Sequence, residues 1–138
     1  MKPEPGDKLF AGVQSFCGAA YKWNCCAFCV LKIAERYMGH TYSPITETVQ
    51  AIHDGFIKYN WDNENDPDNL YVEYPAAWLY KLTGRKWTYE KTYEKPDGVF
   101  IIEVWNNLHF RLPDWDSLSY SNSVATGKIT SWRILRPV

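Results

Sequence analysis

The chain has 138 residues, 46% of them hydrophobic and 22% charged, enough for one domain with a sizeable core and too few for two ordinary ones. Lys and Arg number 15 and Asp and Glu 16, leaving a net charge of −1. That composition argues against disorder and against a general electrostatic grip on nucleic acid or an anionic membrane. No apolar run approaches the roughly 18 to 20 residues needed to span a bilayer, and Met1 to Asp7 lacks the apolar segment of a signal peptide, so a cytoplasmic protein is expected. The aromatic share is 17%, with seven Trp and ten Tyr. So many wide, flat side chains suit a β-rich core or a surface groove for a ligand.

The first 20 residues read as loop, with Pro3, Pro5, Gly6, Gly12 and Gly18 and little periodicity. From Asn24 to Gly39 the polar residues Lys32, Glu35 and Arg36 share one side of an otherwise apolar run, which predicts a largely buried helix. Asn24 is its N-cap candidate and Gly39 its stop. Ser43 as cap, Pro44 in the first helical position and Glu47 in the first turn open a second helix that runs to about Phe56. An acidic, amide-rich surface loop follows at residues 60–69, lacking the Gly and terminal Glu of a calcium loop. Pro75 to Leu82, followed by Thr83 and Gly84, predicts a short third helix.

After Gly84 the period drops from 3.6 to 2. Lys86 to Thr92, Gly98 to Trp105, Leu108 to Leu112 and Lys128 to Leu135 carry strand residues with turn residues between them. Helices first and an antiparallel sheet afterwards define an α+β class. The expected organisation is a single domain over 1–138: a loop-rich segment at 1–20, a helical part at 24–84 and the sheet at 85–138.

All four cysteines, Cys17, Cys25, Cys26 and Cys29, fall within 13 residues. Disulfides there would staple only one short stretch, so reduced thiols are expected. Cys25 lies at the first turn of the buried helix, where unpaired N–H groups and the macrodipole lower a thiol pKa. An activated cysteine also needs a base and an acceptor that orients it. His109 lies in the predicted strand 108–112, and Asp116 follows seven residues later, after the turn Pro113-Asp114-Trp115. A hairpin centred on that turn would carry Asp116 back beside the His109 and Arg111 face.

Cys25-Cys26-Ala27-Phe28-Cys29 resembles the Cys-Trp-Ala-Phe-Ser signature of papain-like cysteine peptidases. His109-Phe110-Arg111-Leu112, then Trp115-Asp116, then Gly127 to Arg133 resemble their His, Asp and closing strands. The size is most similar to minimal papain-like domains of the bacteriocin-processing kind and to small phage- or plasmid-borne proteins. The resemblance runs from about Gln14 to the end and implies a papain-like fold, with the nucleophile helix packed on a twisted sheet. It implies a peptide or amide substrate, no cofactor, and a Cys25–His109–Asp116 triad. Cys26 stands where larger members have Trp, and Gln14 lies 11 residues before Cys25, farther than their oxyanion Gln. That leaves Gln14 and Asn24 both as oxyanion candidates, and Asp114 as a rival acceptor.

Other readings compete. Cys26 is a second nucleophile candidate, and Cys29 reads as packing. Cys26 to Cys29 is a CxxC motif at a helix start, but no strand pattern precedes it. A zinc site from Cys17, Cys26, Cys29 and a distant His lacks a second close-spaced ligand pair. His40 and His53 read as solvated or capping residues, and Trp61, Trp105 and Trp115 as possible cleft walls. A catalytically silent papain-like fold serving as a binding or phage-structural module is the alternative function.

Overall fold

In the computed structural model, residues 26–60, 62–63, 66–107, 109–113 and 127–138 are described. Helix α1 spans Cys26–Met38, α2 Pro44–Asp54 and α3 Pro75–Thr83. Strands follow at Trp87–Thr92 (β1), Phe100–Trp105 (β2), His109–Arg111 (β3) and Ile129–Pro137 (β4). The class is α+β, with three helices and a four-stranded antiparallel sheet among the described residues.

Helix α1 forms because its apolar residues cover most of its circumference. Ala27, Phe28, Cys29, Val30, Leu31, Ile33 and Ala34 are all buried. The remaining side carries an ion pair between Lys32 Nζ and Glu35 Oε1 at 2.8 Å, three residues apart. Glu35 Oε2 also accepts from the Tyr42 backbone N–H at 3.1 Å, tying the following turn to the helix. Ser43 precedes α2 as predicted, but its hydroxyl donates to Thr46 Oγ1 and makes no side-chain cap bond. Gly55 and Gly84 end α2 and α3 in left-handed backbone, the conformation that favours glycine at a helix stop.

The strand order is β1-β4-β2-β3, so β4 lies between two strands that precede it in the chain. Its register sets Leu135 opposite both Tyr89 and Phe100, and Arg133 opposite both Lys91 and Ile102. Because facing residues of an antiparallel pair share a side, one face carries Trp87, Phe100, Ile102 and Leu135. All four belong to or pack on the core that contains α1. Helix α1 packs on α3, α2 and β3, and α3 on β1. Tyr37, near the end of α1, meets Trp87 edge-on at 5.0 Å between centroids, and Trp87 meets Phe100 at 5.3 Å. Trp87 Nε1 donates to Thr83 Oγ1 at 2.9 Å, and that hydroxyl donates to the Leu79 carbonyl at 2.7 Å. This aromatic cluster fixes the far end of α1 over the β1–β4–β2 junction.

Candidate functional site

Cys25, Asn24, Gln14, Asp114 and Asp116 lie outside the described residues, as do Cys17, Trp61, Trp115 and the turn expected to carry Asp116 back. What the structure supplies is the frame around them. Helix α1 opens at Cys26, the residue directly after Cys25, and β3 opens at His109. These two elements pack against each other. Leu112, just beyond β3, is buried in the same core as Ile33, and Phe110 packs on that core.

The β2–β3 register pairs His109 with Trp105, Phe110 with Val104 and Arg111 with Glu103. On the side shared by Trp105 and Arg111, the Trp105 indole N–H donates to Glu103 Oε1 at 3.1 Å. The Arg111 guanidinium lies 6.0 Å from the centre of the Trp105 ring, a cation–π approach. Asn106 and Asn107 take positive φ values of 54° and 57° in the turn between the strands, a conformation that Asn tolerates better than most residues.

At the opening end of α1, Cys26 is half-buried while Cys29, one turn on, is fully buried in the core. Cys29 is thus a packing residue, as its apolar surroundings predict. Cys26 lies near Tyr89 of β1. Burial pushes the Tyr89 phenol up to about 12; the charge of a Cys26 thiolate adds to the rise, and the neighbouring Arg133 guanidinium opposes it. Arg133 is itself held: Nη1 donates to Ser131 Oγ at 2.9 Å and to the Trp132 carbonyl at 3.3 Å. Ser131 is buried at 2% exposure. A phenol, a guanidinium and a hydroxyl therefore gather beside the opening turn of α1. None of the three stands out in the sequence, where each is one more residue of an alternating strand.

Among the described residues no group of three or more His, Cys, Asp and Glu side chains is placed to hold a metal ion. His40 is exposed at the turn after α1, its Nδ1 3.4 Å from the Thr41 carbonyl. The described part of the 60–69 loop is knitted by its own amides. Asn60 Nδ2 donates to Asp66 Oδ2 at 3.0 Å, and the Asn60 N–H donates to Asn69 Oδ1 at 2.7 Å. Its polar residues thus organise the loop itself. No helix among the described residues is long and apolar enough to cross a membrane. No family model, curated protein or solved structure matches the chain.

Proposed function

We propose that the protein is a cysteine peptidase or related amide hydrolase of papain-like type. Cys25 is its nucleophile, His109 its general base and Asp116, or Asp114 in its place, the acceptor that orients the imidazole. The observation that carries this reading is the packing of α1 on β3, which makes neighbours of the helix that opens after Cys25 and the strand that opens on His109. A thiolate at a helix start is stabilised by the positive end of the macrodipole. In the proposed reaction the Cys25 sulfur attacks the substrate carbonyl carbon, and His109 passes the thiol proton to the leaving amine. The resulting acyl-enzyme is then hydrolysed by a water that His109 deprotonates, which returns the thiol. Backbone N–H groups of the helix start, aided by Gln14 or Asn24, stabilise the oxyanion. The substrate is a peptide or another amide, the reaction uses no cofactor, and the protein is cytoplasmic, of the kind that phages or plasmids carry.

Low-dose iodoacetamide followed by mass-spectrometric mapping tests the nucleophile. Cys25 should be alkylated first, because it alone combines the helix start with a base on a neighbouring strand. Labelling of Cys26 or Cys17 ahead of Cys25 would refute the assignment. The alternative is a catalytically silent binding module on the same frame. Under that reading no thiol reacts faster than an ordinary exposed one, and His109 has no influence on Cys25.

A further inference from the structure

The helix-side face of the sheet has an uneven distribution of charge. The register places Trp87, Tyr89 and Lys91 of β1, Ser131, Arg133 and Leu135 of β4, and Phe100, Ile102 and Val104 of β2 on that face. Lys91 and Arg133 are its charged residues among these nine, and they face each other directly across the β1–β4 pair. The acidic residues of the same strands, Glu90 and Glu103, fall on the other face, where Glu90 Oε2 lies 3.7 Å from Arg136 Nη1. Like charges directly opposite each other on a sheet destabilise it. Neither cation takes part in an ion pair among the described residues. An anion held between them would offset that repulsion.

The surroundings of the pair suit such an anion. Arg133 is fixed through Nη1 by the buried Ser131 and a backbone carbonyl, and the guanidinium also hydrogen-bonds the Tyr89 hydroxyl, so it is pre-oriented. Lys91 is exposed, with Nζ 5.1 Å from the centre of the Tyr93 ring. Tyr89, beside Arg133 and Cys26, adds a hydroxyl donor and is 39% exposed. Facing side chains of an antiparallel pair stand about 5 Å apart at Cβ. A planar anion with two oxygens can be bound jointly by an ammonium and a guanidinium carried on facing positions. We propose that Lys91 and Arg133, together with the Tyr89 hydroxyl, form a subsite that binds a carboxylate of the peptide substrate beside the opening turn of α1. The proposal rests on the amide-hydrolase reading for the ligand's being substrate. The charge pattern stands without it.

The test is a titration of the full chain, followed by backbone amide NMR, with three short peptides. One is N-acetyl-trialanine with a free terminal carboxylate, the second is the same peptide as an amide, and the third is N-acetyl-alanyl-glutamyl-alanine amide. The neutral amide should bind at least tenfold more weakly than one of the two acids, and the stronger acid tells whether the carboxylate is terminal or on a side chain. Lys91→Gln and Arg133→Gln should each weaken that acid about tenfold, the step expected for one charge-assisted bond, and leave the amide unchanged. Lys91 is exposed, so Lys91→Gln keeps the test valid if Arg133→Gln fails to fold. Equal binding of all three peptides, no binding of either acid, or wild-type affinity in Lys91→Gln would overturn the proposal. Failure of the hydrolase reading shows separately, as slow Cys25 alkylation with carboxylate binding intact.

Discussion

Replacing Leu31 by Ala tests the packing that brings α1 to the site. Leu31 is 2% exposed, in a helix whose neighbouring residues Val30 and Ile33 are also buried in the core. The substitution removes three carbon atoms, worth about 0.8 kcal/mol each in lost transfer from water, or roughly 2.4 kcal/mol together. Buried residues on both sides limit collapse into the space, so a cavity term adds to that loss. The expected cost is about 3 to 5 kcal/mol, a large share of the stability of a domain this size. At roughly 3.5 °C per kcal/mol, the midpoint of thermal unfolding should fall by about 10 to 17 °C. Urea unfolding monitored by circular dichroism measures the free energy directly. Lys81→Ala, on the exposed side of α3, is the control and should change it by no more than about 0.5 kcal/mol. A loss below about 1 kcal/mol in Leu31→Ala would show that this face of α1 is not packed.

Trp87→Phe keeps most of the ring contact with Tyr37 and Phe100 but loses the donor to Thr83, and should cost about 1 to 2 kcal/mol in the same urea assay. Gly127→Ala places a methyl group on the Asn106 side chain at a φ of 109°, so it should destabilise by about 1 to 3 kcal/mol, read as a lower denaturation midpoint. Tyr89 should titrate near 12, above the ordinary value of 10. Because its folded pKa is raised, it destabilises the fold only as pH climbs through the interval from 10 to 12, and nothing is lost below 10. Ultraviolet difference titration checks this: Tyr89→Phe should remove one late-ionising phenol, and removal of an early one would contradict the burial argument.

The helices were legible in the sequence because their signals are local. The polar stripe of Lys32, Glu35 and Arg36, the Pro44 and Pro75 starts and the Gly39 and Gly84 stops lie within a few turns of the residues they organise, while the second helix ends at Asp54 with Gly55 as its cap, two residues short of the expected Phe56. The four strands were legible for the same reason, with ends within about two residues of those observed. Strand order was not. That β4 inserts between β1 and β2 depends on pairs such as Lys91 with Arg133, more than forty positions apart, and alternation in one strand carries no record of its partner. The Tyr89–Arg133–Ser131 group was invisible for that reason. Residue types and their order, chiefly Cys25 before an apolar helix and His109 in a late strand, carry the chemistry proposed for the site.

The pairing of Cys25 with His109 is the central claim, and the pH profile of Cys25 alkylation tests it most directly. An imidazolium beside the sulfur favours the thiolate, and a thiolate favours the imidazolium, so the thiol pKa falls and the imidazole pKa rises. With mass-spectrometric quantification at each pH, the wild-type rate should reach a plateau well below the ordinary thiol value of about 8.5. In His109→Ala that plateau should vanish, leaving a single rise through the ordinary range. Asp116→Ala should keep a weakened plateau; a larger effect of Asp114→Ala would make Asp114 the acceptor. Coincident profiles for the wild type and His109→Ala would contradict the pair and with it the hydrolase reading.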